Sequence, residues 1–393
     1  MQIDVVYDSS VNATNFTNYA ADGFSSRAAE EAAFKSAIQY VVNLYENLFT
    51  NDVIVKIGVG WGEIDGQPVS KSAGSKAFFL NTDYATVFQA LKSNAQSSVQ
   101  TEAYNILPTA AQSPFVGPDP SLPSIQLTFA NAKALGLPVT YSATDDPNDF
   151  DGWIGFNSTS SFPWSFDPKS TPVGFNDFIA AAEHEISEIL GRTASVGEPR
   201  SGNNNNDTWR PMDFFRYSAP DQRVITAGGS GSTAYFSIDS GNTNLGTWNN
   251  DATNGKDLGD WQSAGGVGYG PGPNGNDAYD GYSGTGHLNP LTMSDLTLMN
   301  VIGWNTAADP ASTVPNGVLD WVAAGQSAAG MTVLGGGEQE IAGSASNTVL
   351  AGGLQQIDDG GVALATTIEG GGMQYVGRGG IARNSTINTG GTD

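Results

Sequence analysis

The sequence predicts an α+β domain over residues 1–306 and a short β-solenoid over residues 328–393. In the first part, patterns typical of helices and of strands follow one another without the regular alternation of an α/β fold. Residues 307–327 are rich in proline, alanine, glycine and serine, which is typical of a linker. A Gly-Gly pair then returns with a period of 19 residues, as stacked β-rungs require. These pairs begin at Gly352, Gly371 and Gly390.

The elements of the first domain are predicted from the spacing of apolar residues. Between residues 26 and 49 apolar side chains recur every three or four positions, which indicates a long amphipathic helix. Residues 53–59 are rich in β-branched side chains and indicate a strand. The glycine- and asparagine-rich residues 240–288 are expected to be mostly loop. Further strands are predicted at 4–7, 153–156 and 233–238, and further helices at 82–94, 97–106, 127–136, 176–191 and 295–302.

Composition limits the partners of this chain. Its 393 residues include 40 acids and 16 bases, which give a formal charge of −24. Such a surface disfavours nucleic acid and anionic membranes and favours divalent cations or cationic substrates. The chain contains no cysteine, so it has neither disulfides nor thiolate metal ligands.

The N-terminus and the apolar runs bear on where the protein acts. The first residues lack the basic and apolar regions of a signal peptide, and no apolar run is long enough for a transmembrane segment. Few lysines and arginines beside many glycines, asparagines, serines and threonines are typical of extracellular bacterial proteins. We therefore expect an extracellular or cell-surface protein, exported without a recognisable cleaved signal peptide, that contacts a cell surface or extracellular matrix.

The candidate metal-binding and catalytic residues lie in the run at 181–192. Its sequence is Ala-Ala-Glu-His-Glu-Ile-Ser-Glu-Ile-Leu-Gly-Arg. On a helix, His184 and Glu188 lie one turn apart on the same face, where both can bind one metal ion. Glu185 is offset by about 100° around the helix, which suits a general base beside the metal. The pattern is H-E-x-x-E, a variant of the H-E-x-x-H zinc motif with a carboxylate as second ligand.

A structural interpretation of the same run is also possible. Asn176 and Asp177 can cap the helix, and Gly191 can end it. Apolar residues between these ends recur with helical period. A capped amphipathic helix with several acids and one surface histidine would show the same sequence.

Several segments taken together resemble secreted bacterial metzincin-like zinc metalloproteases. The strongest are His184-Glu-Ile-Ser-Glu-Ile-Leu-Gly-Arg192 and Met212-Asp-Phe-Phe-Arg-Tyr-Ser-Ala-Pro220. The others are residues 4–11, 59–63, 130–136, 235–239 and 289–304. The resemblance implies a metalloprotease-like domain over 1–306, with a substrate cleft along a strand edge and a zinc-binding helix beneath it. The tail resembles the passenger repeats of autotransporter adhesins.

The chain departs from the metzincin pattern at two ligand positions. The pattern H-E-x-x-H-x-x-G-x-x-H would place ligands at 184, 188 and 194, but position 188 is glutamate and position 194 is alanine. We take Asp213 as the first candidate for the third metal ligand, although it could instead cap a turn or pair with Arg216. His287, in a glycine-rich loop, is the alternative. Weaker candidates are Met293 as the floor of the site and Tyr217 or Tyr282 as an oxyanion donor.

Clustered acids raise the possibility of structural calcium. Asp145, Asp146, Asp149 and Asp151 supply the hard oxygen donors that calcium prefers, although without the spacing of an EF-hand. The acids between 251 and 260 form a second such group. In both places a solvated acidic loop is the simpler interpretation.

Three functions are compatible with the sequence. The first is a secreted zinc endopeptidase acting on proteins or peptides, in which His184, Glu188 and Asp213 bind zinc and Glu185 is the general base. The second is a catalytically inactive extracellular binding or adhesin module displayed by the repeats. The third, a glycosidase using Glu185 and Glu188, is disfavoured because one helix does not place two carboxyls across a sugar bond.

Overall fold

The computed structural model describes residues 1–141, 149–199, 206–262, 271–272, 275–281 and 284–393. In these ranges the chain is a mixed α/β protein that continues into a C-terminal β-solenoid. The six α-helices of these ranges are α1 (Arg27–Leu48), α2 (Tyr84–Asn94), α3 (Ser98–Asn105), α4 (Phe129–Ala134), α5 (Phe178–Ile189) and α6 (Met293–Val301).

The strands of the first domain are mostly short. They are β1 (Gln2–Tyr7), β2 (Ile54–Trp61), β3 (Glu63–Ile64), β4 (Gln67–Pro68), β5 (Ala73–Ala77), β6 (Phe79–Thr82), β7 (Ile125–Thr128), β8 (Gly152–Phe156), β9 (Trp164–Ser165), β10 (Asn176–Asp177), β11 (Glu198–Pro199), β12 (Asp207–Thr208), β13 (Arg216–Ala219), β14 (Gln222–Arg223), β15 (Ala234–Phe236) and β16 (Gly246–Trp248). The main sheet has the order β1-β2-β8-β5. Strands β1, β2 and β8 are parallel, whereas β5 pairs antiparallel with β8 and forms the edge.

Helix α5 packs against this sheet close to its edge. A side chain at Gly152 of β8 would lie 2.7 Å from the carbonyl oxygen of Lys76 in β5 and would overlap Ile189 of α5. Glycine at this position therefore lets the helix approach the strands closely. Helix α1 packs against both the sheet and α5, because the Phe34 ring lies 5.1 Å from that of Trp61 in β2 and 5.2 Å from that of Phe178 in α5.

The ends of α5 follow local capping rules. The Asp177 side chain caps the N-terminus by accepting a hydrogen bond of 3.2 Å from the Ala180 amide. The helix ends at Ile189, and Gly191 adopts a φ of 115° that side chains rarely tolerate. The predicted helix at 176–191 is therefore present, but it begins two residues later and ends two residues earlier than predicted.

Two other sequence predictions need adjustment, whereas the described residues of 240–288 are mostly loop, as predicted. Residues 125–128 form strand β7 ahead of α4, where a single helix over 127–136 was predicted. Helix α6 begins at Met293 and not at 295, because Thr292 and Asp295 form a capping box. The segment 240–288 contains strand β16, and Trp248 stacks on Trp261 with centroids 4.2 Å apart.

The C-terminal region is a parallel β-solenoid with three strand ladders. Its strands are β17 (Thr313–Val314), β18 (Leu319–Val322), β19 (Ser327–Ala329), β20 (Thr332–Leu334), β21 (Glu338–Ile341), β22 (Ser344–Ser346), β23 (Val349–Ala351), β24 (Leu354–Ile357), β25 (Val362–Leu364), β26 (Thr367–Ile368), β27 (Met373–Val376), β28 (Ile381–Arg383) and β29 (Thr386–Ile387). In one ladder, Leu354 pairs with Met373, which reproduces the spacing of the Gly-Gly repeat. The predicted repeat fold is therefore present.

The first rung lies within the predicted linker at 307–327. Strands β17 and β18 fall inside it and pair with β20 and β21. The Leu319 amide also donates a hydrogen bond of 2.9 Å to the Leu291 carbonyl, which joins the rung to the first domain. Proline and glycine are as common at the corners of rungs as in linkers, so composition alone did not separate the two.

A ladder of buried amides runs through the solenoid. Gln339, Gln355 and Gln374 are at most 2% exposed. The Gln355 side-chain amide donates to Gln339 Oε1 at 2.7 Å, and the Gln339 amide donates to Asp320 at 2.7 Å. Thr348 donates to Gln339 as well, at 3.1 Å. Because each amide has a partner in the next rung, polar side chains are tolerated in this core.

A buried carboxyl pair in the first domain predicts a measurable pH dependence of stability. Burial, and then the neighbouring Asp22 carboxyl, raise the pKa of Glu30 from 4.5 to about 8. The folded state therefore binds one more proton than the unfolded state between these values. Stability contributed by protonated Glu30 is complete below about pH 4.5 and is lost as the pH rises through about 8.

We expect the Glu30→Gln variant to lose this dependence. Relative to the variant, the wild type should lose up to about 1.4 kcal/mol per pH unit between roughly pH 5 and pH 8. Thermal unfolding of both proteins at the two ends of this range measures the effect. Glu31→Gln is the control, because Glu31 pairs with Lys35 near the helix surface. Parallel pH profiles for wild type and Glu30→Gln would contradict the prediction.

Candidate metal centre

Three side chains converge beside helix α5. One ligand atom from each of His184, Glu188 and Asp260 lies within 4.8 Å of the others. His184 Nε2 is 3.4 Å from Glu188 Oε1 and 3.2 Å from Asp260 Oδ1. Imidazole nitrogen and carboxylate oxygen are both zinc ligands, and three protein ligands leave a position open for water or substrate.

His184 is oriented by its second ring nitrogen. Nδ1 lies 3.0 Å from the Ala278 carbonyl oxygen, so in the neutral form a proton on Nδ1 can be donated there. In that neutral form the Nε2 lone pair faces the two carboxylates, as in metal-binding histidines, whereas in the protonated form Nε2 donates to them. Glu188 is oriented in a similar way, because Ser75 of the edge strand β5 donates its hydroxyl to Glu188 Oε2.

Asp260 is the ligand that the sequence did not single out. It follows Gly259 in a segment with little regular structure, and its side chain is buried. A side chain at Gly281 would come within 3.2 Å of Asp260 Oδ2, so a glycine backbone closes over this carboxylate. The only sequence signal was the general acidity of residues 251–260, which gave no reason to choose one acid.

Glu185 lies beside the three converging side chains but outside the group. It is 6% exposed, and its Oε2 has no hydrogen-bond partner among the described residues. Burial, and then the negative charge of Glu188, raise the pKa of Glu185 well above its ordinary value. Asp280 resembles it, with both carboxylate oxygens buried and unpartnered and with its pKa raised to about 9, chiefly by burial.

Glu188 behaves in the opposite way. Its burial would raise its pKa, but the hydrogen bond from His184, the His184 charge and the Arg192 charge outweigh burial and lower it to about 2. Arg192 is fully buried and lies 3.5 Å from Glu188 Oε1 and 3.0 Å from Asp260 Oδ1. Both carboxylates of the group are therefore held near a permanent positive charge.

A cleft of about 520 Å³ opens onto these residues. One wall is formed by residues 71–75, which lead into and begin the edge strand β5, and the floor is α5. The opposite wall includes Ala278, Asp280, Gly281 and Thr285. Phe162 and Trp164 add an apolar surface. The candidate ligands and Glu185 thus face one accessible groove.

The structure does not bring Asp213 into the group. Asp213 is fully buried, and its Oδ2 accepts hydrogen bonds from the amides of Ser195 at 3.0 Å, Val196 at 3.0 Å and Arg210 at 2.9 Å. It therefore organises the turn at 211–215, which is the alternative role considered from sequence. The third side chain that converges with His184 and Glu188 is that of Asp260, not that of Asp213.

Of the other candidates, those that the structure describes are not part of the group of three converging side chains. His287 is half-buried, and its carbonyl accepts a hydrogen bond from Asn289. Met293 is the first residue of α6 and packs against the core. Tyr217 is buried beneath Arg223, whose guanidinium lies 4.7 Å from the ring centroid. Tyr282 lies outside the described residues.

The predicted calcium acids are only partly described. Asp145 and Asp146 lie outside the described residues, and Asp149 is exposed. Asp151 is buried and has structural partners, namely Lys133 Nζ at 2.7 Å and the Lys56 amide at 2.8 Å. In the second group, Asp260 is the acid whose side chain converges with His184 and Glu188.

Comparison with known proteins adds little about this centre. No protein-family model and no curated protein matches the chain. Among solved structures, the crystal structure of a TibC-catalysed hyper-glycosylated TibA fragment is 37% identical, with a TM-score of 0.20. The match covers 20% of this chain and 30% of that chain. No helix in the described part of the chain is both long and apolar enough to cross a membrane.

Proposed function

We propose that this chain is a secreted, metzincin-like zinc endopeptidase. The observation that carries the proposal is the convergence of His184, Glu188 and Asp260 at the floor of a cleft bordered by an edge strand. Glu185 beside them supplies a group that can transfer protons. The substrate would be an extended segment of a protein or peptide, because the free backbone groups of an edge strand bind such segments.

The residues of the site fit a divalent cation. Besides the two carboxylates of the ligand group, Glu185 and Asp280 have buried oxygens without partners. A buried carboxylate without a partner is costly unless it is protonated or compensated by a cation. A divalent cation held by the three ligands would compensate the excess negative charge of Glu185, Glu188 and Asp260. When bound, zinc supplies a Lewis acid that polarises a carbonyl and acidifies water.

The chain's own residues can carry out the remaining chemistry. Glu185 is the general base that takes a proton from the attacking water and delivers it to the leaving amine. Burial and the negative charge of Glu188 raise the pKa of Glu185. A cation bound in the site would stabilise the carboxylate and so lower this pKa. Ser75 and the Ala278 carbonyl hold Glu188 and His184 in place.

A second candidate, an extracellular binding module without catalysis, is favoured by one observation. Arg192 already pairs with Glu188 and Asp260, so these two carboxylates have a cationic partner without a metal. In this alternative the solenoid, which packs on the first domain, would present the cleft to a cell surface or matrix. The raised pKa of His184 would then reflect an ion-pair cluster.

Metal analysis separates the two candidates. We expect protein purified without chelator and then dialysed to retain about one zinc ion per chain and to cleave an unfolded protein substrate. A strong chelator should stop cleavage, and added zinc should restore it. A chain that retains no zinc, and that does not cleave when zinc is supplied, would leave only the binding module.

A further inference from the structure

Arg192 lies where the segment carrying Asp260 meets helix α5. Its Nη1 donates to the Gly259 carbonyl at 3.0 Å and to Asp260 Oδ1 at 3.0 Å. On the helix side, its Nη2 lies 3.5 Å from Glu188 Oε1 and 3.5 Å from the His184 carbonyl oxygen. One guanidinium thus contacts all three candidate ligand residues, two of them through their carboxylates.

The guanidinium is itself held in one orientation. Nε donates to Ser187 Oγ at 2.7 Å, and Ser187 donates in turn to the His184 carbonyl at 2.6 Å. The guanidinium carbon lies 4.5 Å from the centroid of the Tyr279 ring, and the arginine side chain is fully buried. Such a fixed, planar fork binds carboxylates with defined geometry, which the flexible ammonium of lysine does not reproduce.

We infer that Arg192 is the positioning residue that brings Asp260 to His184 and Glu188 and so completes the metal site. The inference rests on the metal site of the proposed function. The Asn249 amide donates a hydrogen bond of 2.9 Å to the Asp260 carbonyl and so fixes the backbone there, which leaves the direction of the Asp260 side chain to its own contacts. Without a neighbouring cation, the carboxylates of Asp260 and Glu188 would repel each other, and we expect the Asp260 side chain to turn away from the group. Arg192 opposes that repulsion and fixes the backbone at Gly259 as well.

Metal affinity, measured by competition with a chromophoric chelator, tests the inference. Arg192→Lys keeps the charge but not the fork, and we expect it to weaken zinc and cobalt binding by about 10- to 100-fold, as losses of outer contacts do. A double-mutant cycle with Asp260→Asn shows whether the effect passes through Asp260. We expect the double variant to bind metal about as weakly as Asp260→Asn alone. Additive losses would overturn the inference.

Arg216 offers a matched control. It is also fully buried, lies 4.9 Å from the centroid of Trp248 and donates to the Leu258 carbonyl in the same segment. In the described part of the chain, its polar partners are Asn249, Asn250, Leu258 and Asp213, and not Asp260. Arg216→Lys should therefore lower thermal stability while changing metal affinity much less than Arg192→Lys. Equal losses of affinity would reduce Arg192 to a general support of the segment and overturn the inference.

Two further measurements test the role of Arg192 independently of peptidase activity. In a crystal structure of Arg192→Lys without metal, we expect Asp260 to have left hydrogen-bond distance of His184, and an unmoved Asp260 would overturn the inference. Ser187→Ala, which frees Nε, should cause a smaller loss of metal affinity in the same direction if Arg192→Lys does not fold. Unchanged affinity there would count against the inference. Metal binding without peptide cleavage would refute the proposed peptidase and leave Arg192 in its assigned role.

Discussion

Replacement of Glu185 by glutamine is expected to reduce peptide hydrolysis by about 10²- to 10⁴-fold while zinc stays bound. The amide keeps the size and position of the side chain but cannot accept a proton from water. Glu185 is outside the group of three ligands, so metal affinity should change little. The loss should appear in kcat, because Glu185 acts on the transition state more than on substrate binding.

The control for this variant is Glu183→Gln, because Glu183 lies two residues before Glu185 on the same helix. Glu183 is also buried, at 4% exposure, and burial raises its pKa well above the ordinary value. It does not line the cleft that contains Glu185. Glu183→Gln should therefore retain hydrolysis, and steady-state kinetics with zinc quantified in each sample compare the two. If Glu185→Gln cleaves as fast as wild type, Glu185 is not the general base.

The parts of the fold that the sequence predicts well are those decided by local interactions. The N-cap at Asp177, the glycine end at Gly191 and the spacing of His184 and Glu188 all depend on residues within a few positions of one another. The solenoid is similar in kind, because each rung contacts only its neighbours and the repeat length appears directly in the sequence. The ends of the helix agree with the structure to within two residues, and the repeat length of the solenoid is confirmed, although its first rung begins earlier than predicted, at β17.

The third ligand could not be predicted because it depends on a long-range contact. Asp260 reaches α5 through Arg192 and under Gly281, and neither contact has a spacing rule. Asp213, by contrast, lies three residues after Arg210 at a turn, and its carboxylate accepts the Arg210 amide. That local capping role follows from the same rule that placed the helix ends, and it is incompatible with a free metal-binding carboxylate.

The position of Arg192 in sequence illustrates the same limit. Three residues beyond the end of the helix at Ile189, a basic residue is readily explained by a favourable interaction with the helix C-terminus. The structure shows a different role, because the guanidinium turns back to Ser187 and out to Asp260. The helical pattern places Arg192 close to Glu188, but only the tertiary fold brings Asp260 to its other side.

Substitution of Asp260 by asparagine is expected to weaken zinc binding by more than about 100-fold, since loss of outer partners alone costs about 10- to 100-fold. Asparagine has nearly the same shape but carries no charge, so the site loses one of its two anionic ligands. Hydrolysis should fall with the metal and recover only in part when zinc is added in excess. Equilibrium competition with a chelator measures the affinity, and thermal unfolding measures the stability of the same samples.

Asp213→Asn is the matched comparison, because it makes the same chemical change at the residue that the sequence favoured. Asp213 accepts three backbone amides and is fully buried, so its loss of charge should cost about 2 kcal/mol of stability. Metal affinity should stay near that of wild type at temperatures where the variant is folded. The opposite pattern, with zinc lost on changing Asp213 and kept on changing Asp260, would mean that the ligand group around His184 has been wrongly identified. Loss of zinc in neither variant would mean that His184 and Glu188 bind metal without either aspartate.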